Sequence, residues 1–375
     1  MIPFESLSYW EHDQYLKNID VLIVGAGIVG LTTAIHLKKN NPNKKVLVVE
    51  RGYLPLGAST KNAGFACIDS ALEIIDDFSK FSVDEVWATV QQRWEGLQYL
   101  KELTAGADIG YEHGKSYELL RKNDLTNHRD LDDQLNALND RLYKITGIKN
   151  VYQQCSDVLN NTGMQGFEQM ISNAAEGRLD TGKLMLHLLR QATELGVLLL
   201  NTVNVLEINE NIIRTSFGSI EFNKAAICSN GLAKALINQD VLPARAQVIV
   251  TRPIQGLTIE GSFHFDRGYY YFRNVNQRLL FGGGRQLDFQ SETTTSLETT
   301  KLIQDHLLDL LNNNILPNHR FEIERKWAGI MGVGKRKKAI IKKTHPNIYC
   351  AVRLGGMGIA IGSGVGKRLA QLIES

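Results

Sequence analysis

Asp20-Val21-Leu22-Ile23-Val24, Gly25-Ala26-Gly27-Ile28-Val29-Gly30, Leu31 to Lys39 and Lys45-Val46-Leu47-Val48-Val49-Glu50 form one continuous pattern, and its reading decides the fold. The run 21–24 has no polar break, which suits a parallel strand buried on both faces. Three glycines follow at GxGxxG spacing. Gly25 permits a tight turn, Gly27 lets backbone approach a pyrophosphate, and Gly30 lets the next helix pack on the strand. The helix that follows points its N-terminal amides, with the positive end of its dipole, at the phosphate, with Ile28 and Val29 of the turn among the cofactor contacts. A second apolar run ends in Glu50, next to Arg51, where a carboxylate can accept hydrogen bonds from a ribose diol. With the strand before, the helix after and the acid about 20 residues on, the pattern predicts a dinucleotide-binding unit.

At 375 residues the chain has room for two closely associated domains. Hydrophobic residues at 43% and charged residues at 22% are ordinary for a soluble globular protein. A net charge of +2 gives no case for a nucleic-acid or membrane partner. Cys67, Cys155, Cys228 and Cys350 are scattered without a CxxC pair. That pattern argues against a metal site and a disulfide framework, and fits a reducing cytoplasm. Glu5, Glu11, His12 and Asp13 make the N-terminal segment unlike a signal peptide. No apolar run approaches the roughly 20 residues that span a bilayer. The expectation is a soluble, cytoplasmic protein.

Apolar spacing predicts helix from about 71 to 103 and a polar, exposed helical region over 124–146. Asp180 is a plausible N-cap for a helix that Gly196 stops. Short strands are expected at 197–200, 203–208, 212–217 and 225–228, and Ser229-Asn230-Gly231 closes a turn after them. A strand-rich block at 246–251, 269–273, 279–282 and 322–327 reads as an antiparallel sheet in a second domain. The chain ends with a strand at 348–352, the glycine cluster Gly355-Gly356-Met357-Gly358, and a helix from about 360 to 373. A second helix N-terminus in the same cleft could stabilise negative charge on a reduced isoalloxazine ring. Two glycine turns of this kind, at opposite ends of the chain, suit an extended FAD better than NAD.

Further motifs lie between these ends. Gly57-Ala58-Ser59-Thr60-Lys61-Asn62-Ala63-Gly64-Phe65, Gly177-Arg178-Leu179-Asp180, Tyr270-Tyr271-Phe272-Arg273, Arg278-Leu279-Leu280-Phe281-Gly282-Gly283-Gly284 and Trp327-Ala328-Gly329-Ile330-Met331 follow in order, with Ser8-Tyr9-Trp10 ahead of them. Together they resemble the FAD-dependent D-amino-acid oxidase superfamily, nearest to its glycine oxidase and γ-glutamylputrescine oxidase-like branches. The resemblance implies an α/β fold: a Rossmann-like FAD-binding domain of the GR2 type beside an antiparallel-sheet substrate domain. On that division 1–80, 151–240 and 331–375 form the FAD-binding domain, 81–150 a helical part of the substrate domain, and 241–330 its sheet. The family's pattern puts Ser59 to Gly64 along the pyrophosphate toward the flavin and Val205 beside the adenine. It also implies cofactor contacts at Ser229, Asn230, Gly231, Gly329 and the turn Gly355 to Gly358. Tyr270 is expected on the substrate side. The cysteine that carries covalent flavin in sarcosine oxidases has no counterpart just after Trp327, so FAD is expected to be non-covalent.

One departure stands out. The arginine that closes "W-A-G-L-R" anchors the substrate carboxylate in the family's amino-acid oxidases, and here that position is Met331. A thioether cannot replace a bidentate guanidinium clamp. Either Arg285, Arg273 or Arg353 reaches the pocket from elsewhere, or the substrate is an amine without an α-carboxylate there. The resemblance implies hydride transfer from a carbon bearing an amine to flavin N5, giving an imine, with dioxygen or a carrier as the final acceptor. Such chemistry needs positioning and an unprotonated amine more than a general base, and the nine histidines show no acid–base pair in sequence. Other readings are a tRNA wobble-uridine oxidase, a hydroxy-acid oxidase or dehydrogenase, and a flavin-bound protein with little turnover. The run Lys335-Arg336-Lys337-Lys338 reads as a solvated loop, or as a recruiter of acidic or phosphate-bearing substrates.

Overall fold

Val21–Val24 and Val46–Val49 are buried along their whole length, as unbroken apolar runs require. The computed structural model describes residues 3–375. These two strands sit inside a six-stranded sheet in the order 340–345, 348–352, 224–227, 21–24, 46–49, 198–200. Its pairs run parallel, except the hairpin of 340–345 with 348–352. Alternate side chains serve different layers. Val21, Ile23, Val46 and Val48 join a core made with helices, while Leu22, Val24, Leu47 and Val49 join a core with the antiparallel strands 205–209, 212–215 and 218–221.

In the helical layer, helix Gly358–Glu374 packs on Ile28–Asn40 and on Val83–Leu103. Glycine makes these contacts possible. A Cβ at Gly366 would lie 2.7 Å from the Val29 carbonyl oxygen, one at Gly362 2.9 Å from Ile28 Cγ2, and one at Gly96 2.3 Å from the Ala360 carbonyl oxygen. Thr33 Oγ1 adds a polar tie, donating to the Val29 carbonyl at 2.8 Å and the Gly366 carbonyl at 3.2 Å. Ile28 meets Gly362 and Val29 meets Gly366, so the helices run in the same direction and their N-termini emerge together.

The second sheet has eight strands, ordered 323–333, 242–251, 278–283, 270–275, 262–265, 116–120, 169–173, 152–154. It is mixed rather than antiparallel, because 262–265 pairs parallel with 116–120. Three of its strands fall in segments read from sequence as helical or as nucleotide-binding. The strand Ser116–Leu120 escapes a pattern reading because Ser116 and Glu118 are buried polar residues with partners inside the protein. Conversely, helix 83–103 packs in the nucleotide-binding layer, not with the second sheet where the 81–150 division put it. The helical stretch 71–103 is two helices, because Ser70 and Ser82 each cap a new start by accepting from the backbone amides of Glu73 and Glu85. Asp180 accepts from the Lys183 amide as expected, and Gly196 takes φ +79° after the helix it ends. Among the described residues no helix is long and apolar enough to cross a membrane.

Gly366→Val inserts branched atoms into the helix contact. Overpacking of this kind typically costs about 1–3 kcal/mol, so a thermal midpoint several degrees lower is expected in differential scanning calorimetry. An unchanged midpoint would show that the helices have room to separate.

Candidate active site

Both helix N-termini open onto one cavity of about 1030 Å³. On the first helix, Gly25, Gly27, Ile28 and Val29 line it. Gly30 does not, and its role is packing: a Cβ there would lie 1.9 Å from the Gly25 carbonyl oxygen. Glu50 and Arg51 also line the wall. Glu50 Oε2 accepts from the Ala26 amide at 3.0 Å and Oε1 from the Gly52 amide at 2.9 Å. The carboxylate is thereby fixed at the cavity edge, and each oxygen keeps capacity for a ribose hydroxyl.

The loop 57–64 docks against this helix start. Ser59 Oγ accepts from the Ile28 amide at 3.1 Å, and a Cβ on Gly27 would sit 2.9 Å from that oxygen. Asn62 holds the loop's shape, donating to the Ala58 and Ser59 carbonyls and accepting from the Gly64 amide at 2.7 Å. Ser59, Lys61, Asn62 and Ala63 line the cavity. Thr60 and Gly64 lie behind it. Thr60 Oγ1 donates to the Pro55 carbonyl, and Gly64, at φ +76°, presses against the Leu179 carbonyl. Trp327 Nε1 donates to the Lys61 carbonyl at 3.1 Å, and Gly329 faces the Lys61 side chain across the cavity wall.

The C-terminal turn completes the cradle. Asn230 Oδ1 accepts from the amides of Arg353 and Leu354 at 3.0 and 3.2 Å, tying the 229–231 turn to the glycine cluster. Ser229, Asn230 and Val205 line the cavity, whereas Gly231 packs against the Met331 carbonyl. Gly355, Gly356, Met357 and Gly358 line it too, and no side chain caps the helix that begins at Gly358. A Cβ at Gly355 or Gly358 would meet nothing within 4 Å. Ser229 Oγ is buried with no hydrogen-bond partner. Bare amides, open space above them and a spare hydroxyl fit the anionic edge of a flat ring system. The residues present therefore fit FAD.

The eight-stranded sheet presents its other chemistry by alternation. Its cavity face carries Gly329 and Met331, Ala246, Tyr271 and His264. Its opposite face carries Phe263, Phe265, Phe272, Phe281 and Tyr270, packed as core. Tyr270 is therefore not on the substrate side. Its ring stacks on Phe265 at 4.8 Å and its hydroxyl meets His306 Nε2 at 2.9 Å. Tyr271 takes the wall position because the opposing Gly282 leaves room: a Cβ there would lie 2.6 Å from the tyrosine ring.

Of the three candidate arginines, Arg353 is paired with Asp240 at 2.6 Å. Arg273 is buried away from the cavity and donates to the Leu179 carbonyl at 2.9 Å, and burial pushes its pKa down to about 10. Arg285 is different. It lines the cavity over the Phe289 ring at 4.9 Å, its Nε has no partner, and among the described residues it forms no ion pair. Burial lowers its pKa, and the charges of Tyr269 and Glu292 nearby only partly offset that. Met331 lines the same cavity.

Sequence reasoning missed several groups. His264, Phe65 and Tyr271 form one cluster on the wall, with Phe65 edge-on to the other two rings at 5.4 and 6.0 Å. The basic run is not simply solvated. Lys337 folds inward to Glu73 at 2.6 Å and Asp77 at 2.7 Å, and Arg336 reaches Glu85 at 3.3 Å. The only available signal was Glu73 and Asp77 at i, i+4 on one predicted helix face.

Glu50→Ala removes two backbone tethers and the expected ribose contacts. Charge-assisted hydrogen bonds are worth roughly 1.5–3 kcal/mol, so the FAD dissociation constant is expected to rise about tenfold or more in a fluorescence titration. An unchanged constant would place the ribose elsewhere.

Comparison with known proteins accords with this geometry. A family model described as "FAD dependent oxidoreductase" (DAO) matches residues 20–372. The probable oxidoreductase OrdL of Haemophilus influenzae is 22% identical over 96% of this chain and 83% of its own length. The fold is similar to that of glycine oxidase from Geobacillus kaustophilus, with TM-score 0.73 at 21% identity over 95% of this chain and 94% of that one. It is also similar to iminodiacetate oxidase from a Chelativorans species, with TM-score 0.72 at 18% identity over 94% and 95%. A family match over almost the whole chain, on a cavity whose two helix starts fit FAD, makes this protein a member of the FAD-dependent oxidoreductase family.

Proposed function

We propose that the protein oxidises a C–N bond in an amine that bears a carboxylate, an amino acid or related compound larger than glycine, to the imine. The observation that carries this reading is Arg285, a half-buried guanidinium on the cavity wall that forms no ion pair among the described residues. A cation so placed favours an anionic ligand group, and its planar fork suits a carboxylate. FAD, when bound, supplies the acceptor for the hydride that leaves the carbon next to nitrogen. The protein's part is placement. Arg285 holds the carboxylate, Tyr271 and Phe65 supply an aromatic wall, and the small residues Gly329 and Ala246 leave space beneath. Met331 contributes apolar surface where the resemblance led one to expect a charge.

Non-covalent attachment of FAD is supported by the state of the nearby thiols. Burial pushes the pKa of Cys67 well above its usual value and that of Cys228 likewise upward, so neither presents a nucleophilic thiolate. All four cysteines are free, which suits a cytoplasmic setting. A nucleic-acid substrate is disfavoured, because Arg336 and Lys337 are committed to carboxylates rather than displayed as a basic face. The electrons then pass to dioxygen or to a carrier, and the imine hydrolyses in water.

Anaerobic mixing of the FAD-loaded protein with amines, D- and L-amino acids and hydroxy acids tests the reading by bleaching of the flavin band. Amine-bearing carboxylates are expected to bleach it, and hydroxy acids are not. Arg285→Ala is expected to raise the substrate dissociation constant about tenfold or more, from the roughly 1.5–3 kcal/mol of a charge-assisted contact. Met331→Arg is expected to bring no gain. Efficient turnover of glycine that is insensitive to Arg285→Ala would contradict the proposal.

A further inference from the structure

An amine with an ordinary pKa, about 10, reaches the site in neutral water as an ammonium ion. Its lone pair is tied up in an N–H bond, and C–N oxidation cannot begin until that proton leaves. The cavity wall contains a group able to receive it. His264 lies on strand Ser262–Phe265, directly across from Tyr271 on one side and beside Glu118 on the other. Strand alternation puts its ring on the cavity face with Tyr271, and Phe65 meets it edge-on at 5.4 Å. Behind the ring, Glu176 Oε2 stands 3.6 Å from His264 Nε2.

Glu176 is held firmly. It is fully buried and accepts from the Ile68 amide at 2.8 Å, the Asp69 amide at 3.2 Å and Ser116 Oγ at 2.6 Å. A carboxylate fixed in this way behind an imidazole orients the ring and stabilises its protonated form. Burial alone lowers the His264 pKa. Glu176, by hydrogen bond and charge, with smaller help from Glu118 and Glu73, outweighs that and raises it above the usual value. Among the other ionisable groups near His264, Glu118 is the competitor, raised to about 7 by burial, and the Glu118→Gln variant below separates its titration from that of His264. Tyr271 is pushed up to about 12 by burial, and the Cys67 thiol is raised further. Asp69 is paired with Arg93, and Glu73 with Lys337. Glu118, on the same sheet face as His264, is covered by the 70–72 segment, accepting from Ser70 Oγ at 2.8 Å and the Leu72 amide at 3.1 Å.

We propose that His264, backed by Glu176, takes the proton from the substrate ammonium group and so releases the amine for oxidation. The N–H bond breaks, its electron pair stays on the substrate nitrogen, and the proton passes to the imidazole and from there to water. The proposal rests on the C–N oxidation reading above.

The test is the rate of anaerobic flavin bleaching by a substrate amine at low concentration, followed between about pH 6 and 10 in FAD-loaded wild type, His264→Asn and Glu118→Gln. Wild type is expected to show an acid limb near neutrality and then level off. His264→Asn is expected to lose at least about a hundredfold at pH 7, the low end for a general base, and to recover toward wild type as pH approaches the amine's own pKa. Glu118→Gln is expected to keep the acid limb. A loss in His264→Asn that is the same at every pH, or an acid limb that vanishes in Glu118→Gln and survives in His264→Asn, would overturn the proposal.

NMR of carbon-13-histidine-labelled wild type gives a readout independent of turnover. The His264 signal, identified by its absence from the asparagine variant, is expected to titrate between about pH 5 and 9. It should also respond to tert-butylamine, which lacks the hydrogen needed for oxidation. A signal that does neither overturns the assignment whatever the substrate. If no amine bleaches the flavin at any pH, the C–N oxidation reading itself has failed. Bleaching without the pH signature removes only the role of His264.

Discussion

Helices 28–40 and 358–374 touch almost backbone to backbone, and the cavity depends on that contact. Any Cβ at Gly366 or Gly362 would fall within 3 Å of the neighbouring helix. Because the helices pack this closely and point the same way, their N-termini converge on one space from opposite ends of the sequence. Each N-terminus carries partial positive charge that falls off within about a turn. Two such ends are useful to one ligand only if they are held close, and glycine is what holds them close. Gly30 does the same for helix and turn, and Gly27 for helix and loop, so one device recurs around the cradle.

The second sheet meets this cradle with a face whose character changes along it. Near strand 323–333 it is small and apolar, with Gly329, Met331 and Ala246. Toward strands 270–275 and 262–265 it becomes aromatic and ionisable, with Tyr271 and His264, and Arg285 follows at the end of strand 278–283. The opposite face is packed with phenylalanine. Arg285 stands at the edge of that packed face, on the cavity wall, with no ion pair among the described residues.

Much of this was legible in the sequence, for local reasons. The strand–turn–helix unit around Gly25 to Gly30, the acid at Glu50, the cap at Asp180 and the C-terminal glycine turn each announce themselves through a few consecutive residues. What was illegible depends on neighbours far along the chain. Tyr269-Tyr270-Tyr271-Phe272 offers aromatic side chains to both faces, and only pairing with Gly282 decides that Tyr271 faces the cavity. His264 and Glu176 come from separate segments brought together by the sheet, so no spacing betrays them. Ser116 and Glu118 hide a strand because they are buried polar groups with partners. Lys337 looked like part of a solvated run and is instead an internal counter-ion.

A crystal structure of the FAD-loaded protein tests the central claim most directly. It is expected to show one FAD spanning the cavity, with the pyrophosphate at the start of helix 28–40 and the ribose diol on Glu50. The pyrimidine edge of the flavin should meet the start of helix 358–374 at Gly358. A cofactor that touches only the first helix start, leaving the C-terminal turn to solvent, would contradict the claim that the two helices are packed together in order to hold a single ligand.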